Sequence, residues 1–170
     1  MVKESKVLLI SILIIFITIL LQSTILEFIK INNIKPDISL IVIIFIAVHS
    51  GIMAGQISGF SSGLMQGFLG GPFGYGFHAL VKTLLGFFFG LSKGTISVDP
   101  IFMPAILIVI GTIIKALVQG LIHLIFLIPV PKFYIEGVGI EIVYNAVLAP
   151  FIFAILKLFN IFKVKESEIF

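Results

Sequence analysis

The fold is decided by uninterrupted apolar stretches, the first of which, residues 7–21, reads VLLISILIIFITILL. A second stretch, residues 38–48, reads ISLIVIIFIAV and carries no charge. Strands of a membrane barrel alternate apolar with polar residues, so these continuous runs exclude a barrel. A transmembrane helix needs about 20 predominantly apolar residues. Together, the two runs predict a bundle of transmembrane helices.

Composition extends this conclusion to the whole chain. Hydrophobic residues make up 59% of the 170 residues, and charged residues make up 11%. A soluble domain has about 25% charged residues, and a disordered chain combines low hydrophobicity with high net charge. Both classes are therefore excluded. We expect an all-α integral membrane protein with one transmembrane domain, because about six spans and their loops use the whole length.

Turn residues divide the apolar sequence into spans. Pro36 precedes Asp37, which opens an apolar run and is the predicted N-cap of the second helix. The break at His49–Gly51 is very short, so a five-span alternative remains in which residues 38–69 form one bent segment. The six spans of the first interpretation are 7–26, 37–49, 51–69, 77–92, 101–128 and 139–161.

The placement of the lysines predicts the orientation. All 11 basic residues are lysines, and they are scattered along the chain, so a nucleic-acid partner is not indicated. Cytoplasmic loops of membrane proteins carry the excess of positive charge. Six lysines against three favour cytoplasmic N- and C-termini: Lys3, Lys6, Lys93, Lys157, Lys163 and Lys165 inside, with Lys30, Lys35 and Lys132 outside.

Glycines recur at every fourth residue along the third span. Residues four apart lie on nearly one face of a helix, and small residues let helix backbones approach closely in a membrane. We expect this face to pack against another helix of the same chain or against a partner helix. The glycines are Gly51, Gly55, Gly59, Gly63 and Gly67, and Gly71 continues the series.

Three later spans carry polar residues spaced four apart, which gives each helix one polar stripe. Polar residues inside a bilayer are costly, so each is a candidate for function. With six spans, the stripes converge in the outer half of the membrane. Three interpretations of this convergence remain. The residues form an internal network in which Glu141 pairs with a lysine, or they line a ligand pocket or proton path, or they contact a partner protein. The residues are His78, Lys82, Lys115, Gln119, His123, Glu141 and Asn145.

No catalytic, metal or cofactor site is predicted. Residues 59–63 fit the pattern G-x-S-x-G, but a glycine repeat with serines between produces it by chance, and the strand–turn–helix of a nucleophile elbow is missing. His78 and His123 lie on separate spans, and the chain has no cysteine that would complete a metal site.

Several short motifs occur in one order along residues 20–155. They are Leu21–Gln22–Ser23–Thr24, Lys35–Pro36–Asp37, the spaced glycines, Gly70–Gly71–Pro72–Phe73–Gly74 and Tyr144–Asn145–Ala146–Val147–Leu148–Ala149–Pro150. In this order the chain resembles the rod-shape-determining MreD family of bacteria. It departs from the family pattern at Gln66, where the family often has Asp.

The resemblance implies a non-enzymatic inner-membrane subunit of the cell-wall elongation machinery, without a cofactor. Its expected partner is MreC, a single-span protein that links it to the glycosyltransferase and transpeptidase of peptidoglycan synthesis. The implied fold is similar to the S-components of energy-coupling-factor vitamin transporters, and such an S-component is the alternative function. Against the alternative, the first alanine is Ala47, so the first span lacks the alanine-rich face of those proteins.

Overall fold

The computed structural model of the chain describes residues 2–24, 28, 30, 34–69, 76–95, 102–127, 129 and 132–158. Within these ranges the secondary structure consists chiefly of six α-helices, which confirms the all-α prediction. They are α1 (Val2–Thr24), α2 (Ile38–Ser50), α3 (Ile52–Phe68), α4 (Phe77–Gly90), α5 (Phe102–Ile125) and α6 (Lys132–Leu158).

Three of the helices are long and apolar enough to cross a membrane. These segments are Ser5–Thr24 of α1, Phe102–Ile125 of α5 and Glu136–Leu158 of α6. α2 and α4 are shorter apolar helices. The chain therefore combines long apolar helices with a set of short ones.

α2 and α3 are two antiparallel helices, and residues 38–69 do not form one bent segment. Gly51 separates them with φ of 94°, a left-handed conformation that favours glycine. Its N–H donates to the carbonyl oxygen of Ala47, which ends α2. At the other end of the pair, Gln66 Nε2 donates to Ser39 Oγ at 3.2 Å. The end of α3 thus returns to the start of α2.

α6 begins at Lys132, seven residues before the predicted span that starts at residue 139. Two glycines in this segment, Gly137 and Gly139, weaken the sequence signal for a helix. A Cβ on Gly137 would lie 2.2 Å from Ile34 Cδ1, so a larger residue there would require the Ile34 side chain to move. This close approach is compatible with a glycine at a position where helix propensity disfavours it.

α2 is the central helix of the bundle. It packs against each of the other five helices, and its apolar residues from Leu40 to Val48 are all buried. A helix that is apolar on every side is suited to such a position, because no face of it requires water. Its N-terminus therefore lies inside the protein, where polar groups of the neighbouring helices can reach it.

α3 and α4 are in backbone contact along one side of the bundle. A Cβ on Gly55 would lie 2.4 Å from the carbonyl oxygen of Gly86, and one on Gly59 would lie 2.2 Å from that of Lys82. At Gly63 the nearest atoms belong to the backbone of Ala79, at 2.3 Å. These glycines of α3 face α4 of the same chain.

Candidate functional site

Asp37 joins the N-terminus of α2 to two lysines of other helices. Its Oδ1 accepts from the Leu40 N–H at 3.1 Å, which confirms Asp37 as the N-cap of α2. The same oxygen accepts from Lys82 Nζ of α4 at 2.9 Å. Oδ2 accepts from Lys115 Nζ of α5 at 3.2 Å. Asp37 is 7% exposed and Lys82 is 1% exposed, so this ionic contact lies in the interior.

Glu141 of α6 supplies the second carboxylate. Lys115 Nζ donates to Glu141 Oε1 as well as to Asp37. The described residues of this cluster therefore contribute two ammonium groups and two carboxylates, whose formal charges cancel. This balance matters because an unpaired charge inside a membrane protein is costly. Each lysine contacts at least one carboxylate directly.

Ser39 extends the ionic contacts to α1 and α3. Its hydroxyl donates to Asp37 Oδ1 at 2.7 Å and accepts from Lys82 Nζ and Gln66 Nε2. Its backbone N–H donates to Gln22 Oε1 of α1 at 3.1 Å. Two amide side chains therefore bind the first turn of α2 from both sides.

Asn145 binds α6 to α2 and α5. Its Oδ1 accepts from the Asp37 N–H at 2.9 Å, and its Nδ2 donates to Thr112 Oγ1 at 3.1 Å. With this residue, side chains of all six described helices meet around the N-terminus of α2. We call this set the ionic network: Gln22, Asp37, Ser39, Gln66, Lys82, Thr112, Lys115, Glu141 and Asn145.

The other three residues of the predicted polar cluster lie beside the ionic network. His123 of α5 is buried, and its ring centroid lies 5.3 Å from that of Phe77 at the start of α4. His78 is half-buried in the same turn as Phe77. Gln119 is buried between Lys115 and His123 on α5, and its Oε1 has no hydrogen-bond partner among the described residues.

Several members of the ionic network were not singled out by the sequence pattern. Asp37 is predicted as a helix cap and motif residue, but its contact with two lysines follows only from the arrangement of the helices. Ser39 and Thr112 are isolated hydroxyl residues in apolar runs, and no sequence pattern marks them as members of a polar network. The only signal for Gln22 is its place in a motif of the resemblance.

The residues of the short sequence motifs lie in different parts of the structure, and only some of them belong to the ionic network. Gln22, Asp37 and Asn145 meet in the ionic network. Pro36 is buried beside Asp37, and Ser23 is exposed and donates to the Leu20 carbonyl oxygen at 2.9 Å. Tyr144 is half-buried on α6, and Pro150 lies inside that helix. Gly71 and Pro72 fall outside the described residues.

The arrangement fixes the relative positions of the helices. Asp37 and Lys115 each bind two or more groups of other residues, so their charged atoms are occupied by one another. Within the described ranges, no three His, Asp or Glu side chains are grouped so that they could hold a metal ion. The network balances its own charges and joins the six described helices around the N-terminus of α2.

Comparison with protein-family models gives a match over most of the chain. The family model described as rod shape-determining protein MreD matches residues 3–159, a range that includes the whole ionic network. No match was found among curated proteins or among solved structures.

Proposed function

The chain belongs to the MreD family of rod shape-determining proteins, and from that membership we propose that it is a non-enzymatic subunit of the cell-wall elongation complex. Its proposed partner is an MreC-like protein with a single membrane span. Through that partner it acts on the glycosyltransferase and transpeptidase of peptidoglycan synthesis and so controls cell shape. The family match over residues 3–159 is the observation that carries the proposal.

The ionic network supports a scaffolding role. Its charged groups bind other groups of the same chain, and it joins all six described helices around the N-terminus of α2. A rigid bundle of this kind presents fixed helix faces to a partner, and helix association in membranes depends on such close packing. The proposed activity is therefore binding through the membrane-facing surface.

We also propose that all six helices cross the inner membrane as a bundle of the S-component type, with both termini in the cytoplasm. The antiparallel α2–α3 pair supports the six-span path. The lysine excess in the segments assigned to the inside supports the orientation. In this arrangement Phe28 faces the outside, and Thr95, after α4, faces the cytoplasm.

The orientation predicts the labelling of single cysteines, because the chain has no cysteine of its own. Phe28 is 89% exposed, and Thr95 is also exposed. Neither substitution removes a lysine, so Phe28→Cys and Thr95→Cys leave the charge pattern unchanged. A membrane-impermeant maleimide should label Phe28→Cys in intact cells, and Thr95→Cys only after the membrane is permeabilised. The opposite pattern would show that the termini are outside.

The proposed partnership is tested by purification of the tagged chain from detergent-solubilised membranes. We expect an MreC-like protein with one span and a large extracytoplasmic domain to be recovered with it. An unrelated tagged membrane protein of similar size is the control for non-specific recovery. Co-purification with ATPase subunits and a bound vitamin, without an MreC-like protein, would instead support a transporter S-component.

A further inference from the structure

The two sides of the bundle differ in the length of their helices. α3 has 17 residues and α4 has 14, which correspond to about 26 and 21 Å at about 1.5 Å per residue. α5 has 24 residues and α6 has 27, or about 36 and 40 Å. The hydrocarbon core of a bilayer is about 30 Å thick. The α3–α4 side is therefore shorter than the core, and the α5–α6 side is longer.

Polar residues mark both ends of the short side. His78 lies in the first turn of α4 and is half-buried. At the other end, exposed Lys93 donates from Nζ to the Ser50 carbonyl oxygen at 3.1 Å. Between these ends, α4 exposes apolar side chains such as Leu80 and Phe88. Among the described residues, the exposed apolar side chains of α4 continue one residue past the helix, to Leu91.

Backbone contacts hold α3 and α4 against sliding past each other. Such sliding would be needed to lengthen the apolar surface that the pair presents to lipid. The backbones touch at Gly55 with Gly86, at Gly59 with Lys82 and at Gly90 with Ile52. These contacts extend along almost the whole length of α4, and Lys82 is also held in the ionic network. A span shorter than the bilayer is accommodated when the bilayer thins or flanking residues extend to the interface. Because the two helices are fixed relative to each other, we expect the bilayer to become thinner beside them.

We propose that the bilayer is thinner beside α3 and α4 than beside α5 and α6, and that the α3–α4 side selects lipids with shorter acyl chains. α2 is shorter still, with 13 residues, but it is surrounded by the other helices, so its length does not affect the thickness of the bilayer. The proposal rests on the proposed crossing of the membrane by α3 and α4 and not on the partner. A failure of the lipid test would leave the partnership with an MreC-like protein unaffected.

The test uses single tryptophans, because the chain contains none. Phe60 on α3 is 52% exposed and Phe151 on α6 is 67% exposed, so Phe60→Trp and Phe151→Trp make a matched pair. Each purified variant is reconstituted in mixtures of ordinary and brominated phosphatidylcholines of short or long chain, and fluorescence quenching measures the relative lipid affinity. We expect the short-chain lipid to be favoured at least about twofold at Phe60→Trp, and the long-chain lipid to be favoured at Phe151→Trp.

Phe88→Trp on α4 provides a second reporter on the short side, which serves if Phe60→Trp does not fold. It should show the same preference for the short-chain lipid as Phe60→Trp. Equal lipid preference on the two sides of the bundle, or a preference for long chains at both Phe60→Trp and Phe88→Trp, would overturn the proposal.

Discussion

Asp37→Asn should greatly reduce the amount of folded protein in the membrane. Asparagine is as good an N-cap as aspartate, so the substitution removes the charge and keeps the cap. Lys82 and Lys115 would then share Glu141 as their remaining carboxylate within the described network. Removal of one partner from a buried ion pair costs about 3–5 kcal/mol. Thermal unfolding in detergent and the level of protein in membranes measure the loss.

Two further variants test whether charge is the cause of that loss. Glu136→Gln removes a carboxylate of α6 that is exposed, and we expect it to leave stability unchanged. Adding Lys82→Met to Asp37→Asn restores the charge balance, because Lys115 and Glu141 then pair alone. This double variant should recover part of the lost stability. Wild-type stability of Asp37→Asn alone would show that the charge balance does not hold the bundle together.

Gly59→Ala should disrupt the contact between α3 and α4. The new Cβ would lie 2.2 Å from the carbonyl oxygen of Lys82 and 2.6 Å from its carbonyl carbon. Since these are backbone atoms, a side-chain rotation cannot relieve the overlap, and α4 must move as a whole. That movement would also displace Lys82 from Asp37. We expect a loss of about 3 kcal/mol, at the upper end of the usual cost of overpacking, and a larger loss for Gly59→Leu.

Gly120→Ala is the matched control for this substitution. Gly120 lies inside α5, and a Cβ there would meet no atom within 4 Å. Alanine also favours a helix over glycine by about 1 kcal/mol, so this variant should be at least as stable as the parent. Thermal unfolding of the two variants in the same detergent gives the comparison. Equal stabilities would contradict a specific role for the glycine face of α3.

Local patterns predicted much of the fold. The apolar runs predict helices, and the structure confirms them. The break at Gly51 stays open in the sequence, which also allows one bent segment over residues 38–69, and the structure separates α2 from α3 there. Spacing of four also placed Lys115 and Gln119 on one face of a helix, and both are buried on α5. α6 begins at Lys132, seven residues before the predicted span 139–161, and no local pattern shows the close approach of Gly137 to Ile34.

By itself, the sequence determined that the chain is a helical membrane protein with a close-packed glycine face and buried polar stripes. These properties follow from periodicity and composition, which act over a few turns of helix. Only the tertiary structure decided which groups meet. Asp37 lies 45 residues from Lys82 and 78 residues from Lys115, and the glycine face meets α4. The physical reason is that a helical period specifies a face but not its neighbour, which depends on how the other five helices pack around α2.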